Sequence, residues 1–309
     1  MQQPGTCLII PCYNENRTVI LLLEHVQRVL SQINESFSVV VVDDCSTDDT
    51  PELLAAFRFS APNISFHPIR LRFNVGHQGA IYQGFLYAQH IPATHFIVMD
   101  SDGEDNPDAL PELLQYKEED IVHVVRGKRK EGLMFRFSYS VYKLIFRTIT
   151  GKQMNFGNYC MIRRGILESA IYHTFSHLAG FLSKQRCKRK YIVVSREKRI
   201  DGESKMNFKG LLSHAFKSFV EYGEDMLLVF LKLFILIMIL FVAAMSNVLY
   251  QKFYANTAIP GWASTIGLGL MNMAIITMGF FIIGILLLHL NRRRGDNQAH
   301  YDEIKVAQK

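Results

Sequence analysis

Two long apolar segments near the C-terminal end constrain this chain more than any other feature. The first, Met226–Tyr250, contains a single charged side chain, Lys232, apart from its flanks, and the second, Ala263–Leu290, contains no Asp, Glu, Lys or Arg. Each is long enough to cross a hydrocarbon layer of about 30 Å as a helix. The alternative is a pair of buried core helices, but those are rarely so long and apolar on every side. The sequence therefore predicts a transmembrane hairpin over residues 226–290, with spans at about 226–250 and 263–290.

Charged residues beside this hairpin predict its orientation. The cluster Arg292–Arg294 directly follows the second span, and the positive-inside rule places such clusters in the cytoplasm. A two-helix hairpin returns the chain to the side on which it started. We therefore expect an integral membrane protein whose N-terminal domain, residues 1–205, and tail, residues 291–309, are both cytosolic.

The formal net charge of +6 is compatible with two kinds of anionic partner, a nucleic acid or a membrane surface. The basic residues concentrate between Arg126 and Lys217 and again at Arg292–Arg294, beside the apolar segments. This placement favours the membrane surface, and no nucleic-acid-binding module is recognisable. The five cysteines are scattered and form no C-x-x-C pair, so a reducing compartment is expected.

Strand-like and helix-like segments alternate through the first 125 residues. Ser38–Val42 is a continuous β-branched run after its first residue, as expected of a parallel strand buried on both faces. Asn16–Ser31 has apolar residues at helical spacing. Further helices are predicted over 50–57, 78–89 and 107–119, and further strands over 7–11, 64–69, 95–99 and 121–125. This alternation predicts an α/β fold with a doubly wound, mostly parallel sheet.

Polar side chains follow three of the predicted strands. The carboxyl ends of these strands carry Pro11–Glu15, Asp43-Asp44 and Asp100-Ser101-Asp102. Ligands of doubly wound sheets bind beyond the carboxyl ends of the strands. We therefore predict the functional site at this edge of the sheet.

Two amphipathic basic segments lie between this α/β region and the spans. Leu133–Ile149 is interpreted equally well as an interfacial helix or as a helix packed on the sheet. For Phe208–Tyr222 the interfacial interpretation is favoured, because that segment leads into the first span. We therefore expect an amphipathic interfacial helix over residues 206–225.

The acidic cluster after the predicted strand 95–99 has the chemistry of a metal site. Asp100 and Asp102 can supply two hard oxygen ligands to a divalent cation, and Glu104 can reach the same ion. A leaving nucleoside diphosphate requires such a cation. The alternative is a solvated acidic loop that caps the following helix. The proximity of Asp43 and Asp44, which could bind a base or ribose hydroxyl groups, favours the metal site.

Four strings of residues carry a resemblance to a known family. They are I-I-P-C-Y-N-E-N, V-V-V-D-D-C-S-T-D-D-T, N-V-G-H-Q-G-A and M-D-S-D-G-E-D-N-P. They resemble the successive motifs of family-2 inverting glycosyltransferases. Within that family the whole chain, including both spans, is similar to dolichol-phosphate mannose synthase and the undecaprenyl-phosphate (bactoprenol) glucosyltransferases. The resemblance implies a Rossmann-like, A-type nucleotide-sugar domain in an enzyme of the bacterial inner membrane, with self-association suggested by relatives.

The resemblance also implies roles for individual residues. Those that line the nucleotide pocket are Pro11, Tyr13, Glu15 and Asp43, with Asp44 beside them. Those that form the site for the metal, Mg²⁺ or Mn²⁺, and the diphosphate are Asp100, Asp102 and Glu104. Arg129, Arg136 and Ser140 match positions that hold the lipid phosphate. Arg199 matches an arginine that closes over the diphosphate, with Ser204 and Lys205 nearby. Of these, Asp102, Arg129 and Arg199 would be the catalytic residues.

The chain departs from the family pattern at two positions. Glu104 stands where a glutamine is more common, which adds a negative charge to the metal site. Asn158 stands in the place of an aspartate. Loss of a potential base would be serious for a hydroxyl acceptor, whereas a phosphate monoester is largely ionised at neutral pH because its second pKa is about 6. The substitution therefore favours a phosphate acceptor, and the alternative is a divergent subgroup with a different, unknown acceptor.

These expectations combine into one function. We predict transfer of a hexose from a UDP- or GDP-sugar to a polyprenyl phosphate at the cytosolic membrane face, with inversion at the anomeric carbon. The alternatives are transfer to a hydroxyl of a glycolipid or other envelope glycan, and a non-catalytic membrane scaffold. Neither the sugar nor the base is determined by the sequence. Processive polymerisation is disfavoured, since the chain lacks a Q-x-x-R-W string.

Overall fold

The computed structural model describes residues 5–126, 157–194, 222–255, 261–292 and 299–305. The chain forms two compact units. Unit 1 comprises Met1–Gly132, Met154–Glu221 and Asp296–Lys309, and unit 2 comprises Leu133–Gln153 and Tyr222–Gly295. The sequence therefore enters unit 2 twice and returns to unit 1 after its second apolar helix.

Unit 1 is built on an eight-stranded sheet. Its strands are β1 (Gly5–Cys12), β2 (Phe37–Asp43), β3 (Ile64–Leu71), β4 (Ala93–Val98), β5 (Ile121–Arg126), β6 (Cys160–Arg163), β7 (Arg189–Val194) and β8 (Tyr301–Glu303). Their order is β7-β5-β6-β4-β1-β2-β3-β8. Only β6 and β8 run antiparallel to their neighbours among the described strands. The predicted mostly parallel α/β sheet is confirmed.

Helices cover both faces of this sheet. They are α1 (Val19–Leu30), α2 (Thr50–Ala56), α3 (His77–Ala88), α4 (Leu110–Leu114), α5 (Arg164–His173) and α6 (Leu178–Lys184), with a 3-10 turn at Pro107–Ala109 before α4. The first and last residues of α1, α2 and α3 agree with the predicted helix boundaries within three residues. The helix predicted over 107–119 ends early, because the N–H groups of Gln115 and Tyr116 bond to carbonyls three residues back and form tight turns.

The central strand β1 divides the core into two layers. Leu8 and Ile10 belong to one buried cluster together with α1, whereas Cys7 and Ile9 belong to a second cluster together with α3. Alternate side chains of a strand point to opposite faces, so a strand that is apolar throughout must be covered on both. Burial of a single large aliphatic side chain contributes about 1.5–3 kcal/mol. These two layers fix the strand ends that carry the polar clusters.

The short strand β8 was not predicted. It pairs antiparallel with β3, in the register Ile69 with Glu303, Arg70 with Asp302 and Leu71 with Tyr301. Its three residues contain no apolar periodicity that could have revealed it. The residues that follow the second apolar helix therefore complete the edge of the sheet.

Unit 2 contains two long helices, α7 (Gly223–Tyr250) and α8 (Trp262–Arg292). The segments long and apolar enough to cross a membrane are Leu227–Ala255 and Ser264–Leu287. Only 6% and 11% of their most apolar windows are buried. A core helix of a soluble protein would be mostly buried, so these two helices are candidate membrane spans. Most of the expected interfacial helix, residues 206–225, and all of 133–149 lie outside the described residues.

Candidate active site

One edge of the sheet collects the carboxyl ends of six parallel strands. β1, β2, β3 and β4 all run in the same direction. β5 and β7 share it, because β6 is antiparallel to both β4 and β5. The edge therefore carries the residues after Cys12, Asp43, Leu71 and Val98, and the chain also leaves it from Arg126 and Val194. The predicted convergence of the three polar clusters is confirmed.

The loops that follow β1 and β2 are tied to one another. The Asn14 N–H group donates to Ser46 Oγ at 2.9 Å, and the Thr47 N–H group donates to Asn14 Oδ1 at 2.8 Å. Asn14 adopts φ 53°, a left-handed conformation that asparagine tolerates better than most residues. The Glu15 N–H group donates to Thr50 Oγ1 at 3.0 Å. Two loops braced in this way form a preorganised rim for a ligand.

Of the predicted pocket residues, Tyr13 and Glu15 lie on this rim, and Pro11 lies just before it. Pro11 is buried within β1, while Tyr13 is 45% exposed just beyond its end. The carboxylate of Glu15 accepts a hydrogen bond from Thr18 Oγ1 at 2.5 Å. Tyr13 thus offers an accessible aromatic face, whereas Glu15 has an intramolecular partner. Their contact with a nucleotide stays a prediction.

Asp43 is a fully buried carboxylate at the end of β2. Its Oδ1 accepts the Ser46 N–H group at 3.1 Å, and its Oδ2 lies 3.3 Å from Nε of Arg70. Burial raises the pKa of Asp43, and the hydrogen bonds from Ser46 and the charge of Arg70 oppose that shift. Arg70 keeps 43% of its side chain exposed. The pair presents a cation at the surface and an anion beneath it.

Sequence reasoning assigned no role to Arg70. The register of the sheet places it directly opposite Asp43, since β2 and β3 pair through these two residues. The available signal was an arginine directly after the predicted strand 64–69, which follows the Asp43-Asp44 strand along the chain. Because Asp43 and Arg70 lie far apart in the sequence, their pairing was not apparent from it.

Asp44 braces the loop between β3 and α3, residues 72–76. Its two carboxylate oxygens accept the N–H groups of Val75 and Gly76 at 2.7 and 2.9 Å. Gly76 has φ 78°, which favours glycine. Burial raises the pKa of Asp44, and these backbone hydrogen bonds oppose the shift. The structure therefore gives Asp44 a supporting role, while its direct contact with a nucleotide stays a prediction.

The acidic cluster after β4 is a tight turn. The Asp100 N–H group donates to Asp105 Oδ2 at 2.9 Å, and the Glu104 N–H group donates to Asp102 Oδ1 at 3.0 Å. Gly103 has φ 78° within this turn. Asp105 and Glu104 are buried, whereas Asp100 and Asp102 are half-buried. The two residues of the D-x-D pattern are thus the more accessible members.

His77 connects the β3–α3 loop to this cluster. Its Nε2 lies 3.2 Å from Asp100 Oδ1 and 3.0 Å from Asn158 Nδ2. Burial lowers the pKa of His77, but the carboxylates of Asp100, Asp102 and Asp105 raise it by more, so the net shift is upward. His77 lies in the N-V-G-H-Q-G-A string, but the sequence predicted no role for it.

Asn158 is held on both sides by side chains of α3. Its Oδ1 accepts a hydrogen bond from Gln78 Nε2 at 3.3 Å, and its amide nitrogen faces His77. Gln78 is in turn oriented by the Leu178 N–H group, which donates to Gln78 Oε1 at 2.6 Å. Asn158 is therefore a buried structural amide that links the acidic cluster to α6.

The donor chemistry of Asp100 and Asp102 fits a hard divalent cation. No group of three His, Cys, Asp or Glu side chains among the described residues has the geometry of a complete metal site. Mg²⁺ and Mn²⁺ in nucleotide sites accept one or two carboxylates and take further ligands from phosphate oxygens. Two half-buried carboxylates satisfy that requirement. The inclusion of Glu104 in the metal set stays a prediction.

Six predicted site residues lie outside the described residues. They are Arg129, Arg136, Ser140, Arg199, Ser204 and Lys205. Two of them follow strands that end at the site edge. In the sequence, Arg129 is three residues beyond Arg126, and Arg199 is five residues beyond Val194.

The sequence profile of glycosyl transferase family 2 matches residues 7–174, which contain all the clusters described above. The chain belongs to this family.

Curated relatives of this glycosyltransferase family extend the likeness. An undecaprenyl-phosphate 4-deoxy-4-formamido-L-arabinose transferase of Yersinia enterocolitica is 28% identical over 214 residues, or 67% of this chain. That match spans 64% of the relative's own length. A Bacillus subtilis protein described as the uncharacterized glycosyltransferase YkcC is 24% identical over 307 residues, which cover 96% of this chain and 90% of that one. The second match includes both apolar helices.

Solved structures share the fold of unit 1. The glucosyl-3-phosphoglycerate synthase of Mycobacterium tuberculosis, solved with Mn²⁺, UDP-glucose and phosphoglyceric acid, superposes with a TM-score of 0.53 at 14% identity. The match covers 72% of this chain and 80% of that one. The mannosyl-3-phosphoglycerate synthase of Rubrobacter xylanophilus gives a TM-score of 0.51 at 12% identity and covers 72% and 73%. At these identities the likeness establishes the fold alone.

Proposed function

We propose that this protein transfers a hexose from a nucleotide-diphosphate sugar to a polyprenyl phosphate at the cytosolic face of a membrane. The observation that carries the proposal is the meeting of the Asp43–Arg70 pair and the Asp100–Asp102 cluster at one sheet edge, in a chain with two long, lipid-compatible helices. The named activity of the Yersinia relative supports the lipid phosphate as acceptor. The solved synthase with Mn²⁺ and UDP-glucose supports a metal and a nucleotide sugar.

The donor is bound by residues of the described edge. Arg70 donates hydrogen bonds to acceptor atoms of the base, and the Tyr13 ring packs against the base. Asp100 and Asp102 would hold Mg²⁺ or Mn²⁺. When bound, the cation neutralises charge on the departing diphosphate. His77 fixes the orientation of the Asp100 carboxylate.

The reaction is an in-line displacement. An ionised phosphate oxygen of the lipid attacks the anomeric carbon while the bond from that carbon to the β-phosphate oxygen breaks. The nucleoside diphosphate leaves with the bonding electron pair, and the configuration inverts. Arg129, Arg136 and Ser140 bind the lipid phosphate, and Arg199 closes over the diphosphate with Ser204 and Lys205. Guanidinium groups suit this work because they bind phosphate oxygens in pairs.

Asn158 supports a phosphate acceptor over a hydroxyl. Its amide is buried and hydrogen-bonded to Gln78 and His77, so it has no capacity to remove a proton from an acceptor. A hydroxyl nucleophile needs a base, whereas a phosphate monoester is already ionised near neutral pH. A lipid phosphate acceptor therefore does not need a base at Asn158.

Two features support the cytosolic location. Arg292–Arg294 follow the second apolar helix, which favours the cytoplasm for that end. Both flanks of the hairpin run into one sheet, since β7 precedes α7 and β8 follows α8. Two membrane crossings are consistent with both features, because they return the chain to the side on which it started. A homo-oligomer remains a prediction of the resemblance to this family.

A release assay tests the donor, acceptor and metal together. Detergent-purified protein with Mg²⁺ or Mn²⁺ is offered UDP- and GDP-sugars, with and without undecaprenyl phosphate. We expect nucleoside diphosphate release that requires the lipid. Metal-dependent release that is equal without the lipid would overturn the acceptor, and failure to bind any nucleotide would favour a non-catalytic scaffold. An alkali-stable glycoside product would indicate a hydroxyl acceptor.

Asp102→Asn tests the metal site. The substitution removes a charged oxygen ligand with little change in volume, so turnover should fall by at least about 100-fold while the protein stays folded. The matched control is Asp108→Asn, which makes the same change at an exposed aspartate whose partner is His25. Wild-type turnover in Asp102→Asn would rule out this metal site.

A further inference from the structure

The C-terminal strand β8 is bound to the sheet by backbone and side-chain contacts at both of its ends. The Arg72 N–H group donates to the His300 carbonyl at 3.0 Å, and the Ile304 N–H group donates to the Pro68 carbonyl at 3.0 Å. Between these points the strand pairs with β3 over three residues. Edge strands of this length depend on side-chain contacts for stability.

Hydrogen bonds from β8 and its neighbour His300 reach both ends of the β3–α3 loop. Asp302 accepts two hydrogen bonds from the guanidinium of Arg72, at 3.0 and 3.3 Å. The His300 N–H group donates to Gln83 Oε1 on α3 at 2.9 Å. Tyr87, also on α3, donates to Glu303 Oε1 at 3.0 Å. The strand thus joins the first residue of the loop to the helix that follows it.

The same loop is held from the opposite side by the candidate active site. Asp44 accepts the N–H groups of Val75 and Gly76, and His77 then contacts Asp100. Only four residues separate Arg72 from His77. A displacement of the outer end of so short a loop is transmitted to its inner end, because the chain between them has little slack.

We propose that β8 is a positioning element for the donor site, which rests on the function proposed above. By clamping Arg72 and α3, it sets the β3–α3 loop, which Asp44 braces, so that His77 holds Asp100 of the acidic cluster in its binding geometry. Asp302 and Arg72 are positioning residues, since they act through the loop. The segment that returns from the second apolar helix therefore contributes to nucleotide binding.

A charge-reversal cycle on the Arg72–Asp302 pair tests this clamp. The variants are Arg72→Asp, Asp302→Arg and the double exchange, together with deletion of residues 299–309. The matched control is Lys305→Gln, which removes an exposed charge just beyond the strand. The readouts are titration of the full-length protein in detergent with UDP and GDP in the presence of Mg²⁺, and hydrogen exchange at the Val75 and Gly76 amides.

We expect each single reversal to weaken diphosphate binding by roughly fivefold and the deletion to weaken it further. Exchange at Val75 and Gly76 should accelerate in the same variants. The double exchange should restore both readouts toward wild type, which a general loss of folding would not do. The KM for undecaprenyl phosphate should stay unchanged in the single variants.

The outcomes separate the two proposals. Wild-type binding and exchange in both single reversals and in the deletion would overturn the clamp and leave the proposed function intact. Wild-type protein that binds neither UDP nor GDP would overturn the proposed function itself. Loss of binding in a single reversal without recovery in the double exchange would also overturn the clamp, because the ion pair would not be its cause.

Discussion

Asp43 is subject to opposing requirements. Its carboxylate has no exposed surface, and its partners are Ser46 and the half-exposed guanidinium of Arg70. Burial of a charge disfavours the ionised form, which is why the pKa of Asp43 is raised. A buried anion beneath an accessible cation costs stability and fixes the direction in which the cation points. Residues at binding sites commonly show this conflict.

Replacing Asp43 by asparagine should make this cost measurable. A raised pKa in the folded state means that folding is favoured with the proton bound, so stability falls as pH rises from 3.8 through the folded pKa. Asp43→Asn removes this dependence and keeps the Oδ1 acceptor. We therefore expect the variant's stability relative to wild type to increase from pH 4 to pH 7, while nucleotide affinity falls. Thermal unfolding in detergent at both pH values measures the difference.

The control for this comparison is Asp49→Asn, the same chemical change on the following turn. Its effect on unfolding should be small and similar at both pH values. If Asp43→Asn were less stable than wild type by an equal amount at pH 4 and pH 7, the burial cost of Asp43 would be contradicted.

The sequence predicted which residues gather at the site better than it predicted what each one does. Asp43 and Asp100 follow apolar strands, so strand periodicity was sufficient to locate them. The bracing role of Asp44 depends on Val75 and Gly76, about 30 residues away, and no local pattern encodes that contact. His77 and Arg70 were missed for the same reason, since their partners are set by tertiary register.

At the scale of elements, the helix α3 is the critical connection. It begins at His77, and its middle approaches β1 so closely that a Cβ atom built on Gly84 would lie 2.5 Å from Cγ2 of Ile9. Glycine at that position is therefore a packing requirement. The distance between α3 and the sheet sets the position of the residues at its N-terminal end.

Gly84→Ala should force α3 away from the sheet. The added methyl would also lie 3.1 Å from Val42 Cγ2, so neither β1 nor β2 leaves room for it. Overpacking of this kind costs about 1–3 kcal/mol of unfolding free energy, and we expect weaker nucleotide binding because His77 moves with the helix. Urea unfolding and UDP titration measure the two effects.

Gly165→Ala on α5 is the matched control. A Cβ at Gly165 would meet no atom within 4 Å, and alanine is the better helix former, so stability should be unchanged or slightly higher. Equal stability of the Gly84 and Gly165 variants would show that α3 has freedom to shift.

Two of the strands missed from the sequence share one property. β6 and β8 contain four and three residues, and both run antiparallel to the rest. Such short segments do not display enough alternation to be recognised, and their place is set by neighbouring strands that were already apolar. The long apolar helices, in contrast, were evident because their signal accumulates over more than twenty residues.

For the whole molecule, the key expectation is that the two apolar helices place the tail and the N-terminal domain on one side of the membrane. Two variants test this expectation. Each lacks the native cysteines and carries one new cysteine, either Lys305→Cys or Asn256→Cys. A membrane-impermeant thiol reagent applied to intact cells should label Asn256→Cys, between the spans, and spare Lys305→Cys. Labelling of both positions from outside would contradict the hairpin.

The closure of the sheet by β8 has a consequence for biosynthesis. The chain is made from its N-terminus, so residues 301–303 leave the ribosome only after both apolar helices have been synthesised. Until then β3 keeps an open hydrogen-bonding edge of the kind that recruits other chains. A ribosome product that stops within the second helix would retain that edge permanently and offer it to chaperones and proteases. The pairing of β8 with β3 therefore becomes possible only after both apolar helices have been synthesised.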